Sequence, residues 1–321
     1  MTASHPPPPR LLKRTSATPA TVCTELLKGL SAPTAAVSPK YLYDALGSRL
    51  FAAITELPEY YPTRTEAAIL RAHLAAMAKD LAPVDVMVDL GAATCEKAAS
   101  LFEAFSVRRY VAVDIAVDVL RASLDRLRIE HPGVELLGIG CDFSTALDLP
   151  AEIGEGPRLM FYPGSSIGNF TPDEALKFLR NLCAASQGGA LLIGVDLVKP
   201  VPILEAAYDD PLQVTAAFNR NLLRHVNRLT GADFSLCDWR HVAFFNAEVS
   251  RIEMHLEAVR QVRVTWPEGT RVFAEGERIH TENSYKWHIE EFGALLRQAG
   301  FDRVQHWTDA HHWFAVFAAH A

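Results

Sequence analysis

From Val86 to Asp196 the chain alternates apolar, strand-like runs with helix-like segments, and this alternation leaves few folds open to it. Strands are expected at 86–90, 109–114, 134–141, 158–162 and 189–196, with helices at 95–105, 116–129 and 173–186. Strands joined in this way lie parallel, and their helices cover both faces of the sheet. After Asp196 the pattern changes. Residues 200–229 read as helices, 239–283 as strands of period two, and 286–299 as a helix, followed by closing strands at 301–307 and 312–319. The fold class is therefore α/β: a doubly wound, mostly parallel Rossmann-like sheet with an inserted, discontinuous α+β domain. The sheet domain is placed at 62–196 plus 286–321, and the second domain, which includes two N-terminal helices, at 19–61 plus 197–285. Residues 1–18 contain four consecutive prolines, Pro6 to Pro9, followed by Arg10, Lys13 and Arg14, and are expected to form a disordered tail.

In open sheets of this kind ligands bind outside the carboxyl ends of the strands. The first such end is Val86-Met-Val-Asp-Leu-Gly-Ala-Ala-Thr-Cys-Glu-Lys97, a strand, a small-residue turn and a helix start. The next strand ends in Asp114, about the ~20-residue offset at which a carboxylate takes the ribose of a bound nucleoside. The turn lacks the G-x-G-x-x-G spacing that brings backbone onto a pyrophosphate, which disfavours a dinucleotide. S-adenosylmethionine has a ribose and an adenine but no phosphate, and it needs only the turn and the acid. An ordinary core strand with a glycine turn is the competing reading. Asp142-Phe143 can serve an adenine through carboxylate and ring, or act as helix cap and core. Tyr162 to Phe170 is a loop rich in Gly and Ser whose one side-chain amide is Asn169, and capping by Asn169 or Thr171 competes with a ligand role. Tyr60 and Tyr61, just before a helix, could be a packing pair or ligand contacts.

Composition excludes other classes. A net charge of -7 gives no footprint for nucleic acid or for anionic membranes. No apolar run approaches the ~20 residues of a membrane span. The five scattered cysteines form no C-x-x-C pair, so no metal site is expected, and they read as reduced thiols of a cytoplasmic protein. Nothing in the sequence fixes an oligomeric state.

Several stretches carry a resemblance: Leu57 to Glu66 (LPEYYPTRTE), DLGAATCEK, Cys141-Asp-Phe, YPGSSIGNF, Tyr208-Asp-Asp with the following VTAAFNRN, and Arg278 to Trp287 (RIHTENSYKW). From about Pro39 onward the chain resembles the S-adenosylmethionine-dependent L-histidine Nα-methyltransferases that make hercynine in ergothioneine biosynthesis. The resemblance implies a methyltransferase acting on histidine and its mono- and dimethyl intermediates. It implies that Gly91, Lys97, Asp114, Asp142 and Phe143 contact the cofactor. Tyr60, Gly164, Asn169 and Tyr208 would hold the amino and carboxylate groups, with Gly164, Asn169 and Tyr60 nearest the chemistry. Glu282 and Ser284, with Tyr43 through water, would hold the imidazole. The family's Gly-Ser-Gly-Thr-Ser turn is here Gly91-Ala-Ala-Thr-Cys95. Related enzymes methylate indole amino acids, but an enclosed Glu282 suits a multiply donating ring such as imidazolium better than indole. A catalytically silent cofactor-binding subunit is the alternative from another class.

Overall fold

The computed structural model describes residues 9–14, 18–143, 147 and 149–321. Its strands, in chain order, are β1 (Arg10–Lys13), β2 (Ala35–Ala36), β3 (Val86–Leu90), β4 (Arg109–Asp114), β5 (Glu135–Gly140), β6 (Leu159–Tyr162) and β7 (Ala190–Asp196). They continue with β8 (Trp239–Asn246), β9 (Arg251–Ala258), β10 (Val262–Trp266), β11 (Gly269–Phe273), β12 (Arg278–Tyr285), β13 (Arg303–Thr308) and β14 (Phe314–His320). The chain divides into two compact units. One comprises residues up to Thr15, Arg64–Leu197 and Trp287–Ala321; the other comprises Ser16–Thr63 and Val198–Lys286.

The first unit holds an eight-stranded sheet in the order β1-β5-β4-β3-β6-β7-β14-β13. The pairs from β1 to β7 are parallel, and β14 joins β7 and β13 antiparallel. Every residue of β3 and β7 is buried, as continuous apolar runs with helices on both sheet faces require. The helix Pro172–Ser186 begins where Thr171 and Glu174 form a capping box just ahead of Pro172. The helix expected over 95–105 is two single turns, Glu96–Ala99 and Phe102–Phe105. Cys95 enters the first with a left-handed φ of 60°, and the chain is closed again at Ser100 before a full helix can propagate. Arg10–Lys13, assigned by composition to a disordered tail, instead form an edge strand on β5, with Leu11 and Leu12 half-buried. Residues 1–8 and 15–17 of that expected tail lie outside the described residues.

The second unit is built on an antiparallel core, β8-β9-β12, with β2 added parallel to β12. The helix Val214–Thr230 lies against β8 and β9 and ends at the left-handed Gly231. β10 and β11 form a separate hairpin. Pairing of β12 with β9 shifts by one residue between His280 and Glu282, so Glu282, Ser284 and their neighbours are set on their faces by a bulge.

Candidate active site

In the first unit the strand order reverses between β3 and β6, which are neighbours although β4 and β5 intervene in the chain. The crevice at such a switch point is the expected ligand position. Three of its strand ends are adjacent: Gly91 after β3, Asp114 at the end of β4, and Asp142-Phe143 after β5. Gly91 has φ 75°, and a methyl added there would sit 3.8 Å from the Phe143 ring, in the space in front of it. Phe143 meets Tyr162 edge-on at 5.9 Å between centroids. The Asp114 carboxylate accepts from the backbone N–H groups of Ala93 at 2.9 Å and Ala116 at 2.7 Å, which fixes the turn against the next strand. An acid, a half-buried aromatic ring and a small-residue turn without a phosphate-binding nest fit S-adenosylmethionine.

Of the three departures from the family's turn, at Ala92, Ala93 and Cys95, the last two fall on strained backbone. Ala93 has φ 43° and Cys95 φ 60°, left-handed positions that favour glycine. Cys95 is buried, and burial pushes its thiol up to about 12, so it acts as a packing group. Beneath the turn, Asp89 is fully buried and accepts from the Tyr110 hydroxyl at 2.6 Å; burial raises its carboxyl to about 7.

The sequence placed Glu66 in the first turn of a helix and gave it no further task. Its carboxylate, 1% exposed, instead forms an ion pair with Lys97 and accepts the Gly164 N–H at 2.9 and 3.1 Å. Thus Lys97, expected at the cofactor, is anchored on Glu66. Gly164, with φ 78°, has its N–H engaged, and its carbonyl is the group it can offer to a ligand. Ser165, also left-handed, is tied to β7 by accepting the Asp196 N–H at 2.8 Å. Gly194 on β7 is glycine because Glu66 lies directly on it: an added methyl would overlap Oε1 and stand 2.9 Å from Cδ. The signal for Glu66 in the sequence was an acid followed by Ala67-Ala-Ile-Leu70, on a helix that has to bury a face. Asn169 ends the 3-10 turn Ser166–Asn169 and is half-buried. The helix that follows is capped by Thr171, so Asn169 is not needed for that task.

In the second unit Tyr43, Tyr60 and Tyr208 share one aromatic cluster. Phe51 meets Tyr43 at 5.5 Å and Tyr60 at 6.0 Å, and Tyr60 meets Tyr208 at 6.2 Å. The Tyr208 hydroxyl donates to Ser284 Oγ at 2.7 Å, so a carboxylate would have to compete with Ser284 for that proton. Glu282 lies two residues before Ser284 on β12, and burial raises its carboxyl to about 7, an effect Lys286 opposes. Lys286, 2% exposed, was not singled out from the sequence; it donates to Ser284 Oγ at 2.7 Å and to the Tyr208 hydroxyl at 3.2 Å. Lys199, also buried, donates to the Tyr61 hydroxyl at 2.7 Å, which makes Tyr61 a packing partner.

The ligand-type atoms of Glu253, His255 and His280 lie within 4.8 Å of one another. Here they form a polar network. Glu253 accepts from Arg251, Asn246 and His255, and these bonds outweigh burial and hold it at about 2. His280 Nε2 is 2.8 Å from Asn283 Oδ1. With the Arg251 guanidinium already on Glu253, the charge a metal ion would bring is supplied.

The sequence matches the family model described as histidine-specific methyltransferase, SAM-dependent, over residues 22–321. It is 43% identical over 88% of its length to the Histidine N-alpha-methyltransferase of Mycolicibacterium smegmatis, covering 89% of that protein. It is 42% identical to the protein of the same name from Mycobacterium tuberculosis, over 89% of this chain and 90% of that one. It is 30% identical, over 82% of its length, to Ergothioneine biosynthesis protein 1 of Schizosaccharomyces pombe, of which it covers 36%.

Proposed function

Since the chain belongs to the family of SAM-dependent, histidine-specific methyltransferases, we propose that it methylates the α-amino group of L-histidine three times, giving the hercynine of ergothioneine biosynthesis. S-adenosylmethionine supplies an electrophilic methyl group on a sulfonium. Everything else falls to the chain: to bind, to aim a nitrogen lone pair along the sulfur–carbon axis, and to hold the product for the next round.

In the first unit Gly91, Asp114, Asp142 and Phe143 hold the cofactor, with Lys97 set by Glu66. Asn169 and the Gly164 carbonyl accept from the substrate N–H groups and orient the lone pair. Tyr60 donates to the substrate, and Tyr43 supports the ring side. In the second unit Glu282 and Ser284 recognise the imidazole. The observation that carries this reading is Glu282, a carboxylate 9% exposed with no hydrogen-bond donor among the described residues. Such a group is costly unless a ligand donates to it. Each methyl removes an N–H from the amine and leaves the ring contacts unchanged, so the mono- and dimethyl intermediates keep their hold. Among the described residues no helix is long and apolar enough to cross a membrane. The five free thiols suit a reducing, cytoplasmic setting.

The test is mass spectrometry of histidine incubated with the protein and S-adenosylmethionine. Three successive methyl increments ending at the betaine are expected; accumulation of monomethylhistidine as the end product, or no product, would refute the reading.

A further inference from the structure

Ser284 Oγ accepts two hydrogen bonds, one from the Tyr208 hydroxyl and one from the Lys286 ammonium, both at 2.7 Å. An ammonium has three protons and no lone pair, so the second of these cannot reverse its direction. Lys286 also donates to the Tyr208 oxygen at 3.2 Å, with its nitrogen 4.9 Å from the Tyr208 ring centroid, while the Tyr208 hydroxyl donates to Ser284. With its oxygen committed twice as acceptor, Ser284 has one group left to offer, its own O–H. No acceptor for that proton is present among the described residues. Two residues away on the same strand stands Glu282, which can only accept when ionised. Side chains at this spacing point to one face, roughly 7 Å apart, a distance a five-membered ring can fill with a hydrogen bond at each nitrogen.

We infer that Lys286 fixes the direction of hydrogen bonding in the ring pocket, so that Ser284 donates, Glu282 accepts, and the imidazole is bound as the neutral ring in a single tautomer. The inference rests on the histidine reading above and specifies which form of that substrate the site takes. A neutral imidazole has one N–H and one bare nitrogen, the complement of this pair. An imidazolium has two N–H groups, one of which would face the Ser284 proton, and its charge would lie beside the Lys286 ammonium. Glu282, read from the residues alone, suits a multiply donating ring such as imidazolium; the buried cation is instead supplied by the protein as Lys286. An indole has a donor for Glu282 and nothing for Ser284 to donate to, so the same wiring rejects it.

Two arms test this. The first gives the wild-type protein 1,2,4-triazol-3-ylalanine, whose ring stays neutral through the assay range and still has an N–H and bare nitrogens. It should be methylated with a KM within about tenfold of that of histidine. The second measures histidine affinity by calorimetry for Lys286→Met, Ser284→Ala and the double variant. Lys286→Met should weaken binding about 10- to 100-fold, and adding Ser284→Ala should cost little more, because the lysine acts through the serine. Rejection of the triazole by a sample that trimethylates histidine would overturn the inference, as would fully additive losses. A wild-type sample that does not methylate histidine would instead overturn the underlying reading. If Lys286→Met does not fold, the triazole arm decides alone.

Discussion

Replacing Gly194 with alanine would test whether the Glu66 carboxylate is the piece that holds the Gly164 loop and Lys97 in place. The new methyl would lie 2.9 Å from Glu66 Cδ and 3.0 Å from Phe314 Cε1, so either the acid moves or the strand does. Overpacking of this kind costs about 1–3 kcal/mol. Displacing Glu66 adds the loss of the acceptor for the Gly164 N–H, about 1–3 kcal/mol for a buried donor left unpaired. The share from Lys97 is smaller, since its side chain is 27% exposed and can rehydrate. Glu66→Ala alone should cost about 2–4 kcal/mol for the same two bonds. In the double variant the space vacated by the acid receives the methyl, and only the Phe314 contact remains tight. The two losses should then fall short of their sum by about 1–2 kcal/mol or more. Urea unfolding of the four proteins, with S-adenosylmethionine affinity measured on each, gives the cycle. Additive losses would mean that Glu66 and Gly194 do not depend on one another and that the hub is incidental.

Four further outcomes are expected. Asp114→Ala removes the acceptor for the Ala93 and Ala116 amides and should weaken S-adenosylmethionine at least about tenfold by calorimetry. Asn169→Ala should lower kcat with an unchanged melting temperature, whereas Thr171→Ala should cost about 1 kcal/mol of stability and leave turnover intact, because the cap is Thr171. Ala93→Gly relieves a left-handed alanine and should stabilise the protein by about 1 kcal/mol in urea titrations; a loss would mean the methyl packs usefully. Asp89 and Glu282 both have carboxyls raised to about 7, so the folded protein holds protons that the unfolded chain has released; stability should fall as pH rises from about 4 to 7, and Glu282→Gln should flatten that decline in melts taken across the range.

The strand and helix alternation was legible because parallel strands buried on both faces leave continuous apolar runs such as Val86–Leu90, and because Gly91, Asp114 and Asp142 punctuate the strand ends. The capping question at 169–171 was also posed correctly by the residues, and the geometry resolved it toward Thr171. What the residues could not convey was partnership at long range. Glu66 meets Gly164 across 98 positions, and Lys286 meets Tyr208 across 78. The apolar run after Glu66 hints at burial without naming its partner, and nothing local marks Lys286, since lysine and glutamate are mostly surface residues unless something distant pairs with them. The 95–105 helix was overread for a different reason: helical spacing is present, but the first turn closes at Ser100, where the Leu101 N–H bonds the Ala98 carbonyl, and left-handed Cys95 and Ser106 bound the stretch at its two ends.

The short strand at Arg10–Lys13 bears on how the protein can be trimmed. Leu11 fills the side of β5 where Gly138 lacks a side chain, and an added methyl on Gly138 would come within 2.6 Å of Leu11 Cδ1. Arg14 continues the pairing by donating to the Gly140 carbonyl at 2.9 Å, immediately before the Cys141-Asp142-Phe143 turn. Cutting the chain back to the helix that starts at Pro19 would strip this cover and turn β5 into a bare sheet edge, a template for association between molecules. The residues beside that edge are those assigned to the adenine, so a shortened protein would associate and lose its grip on the methyl donor together.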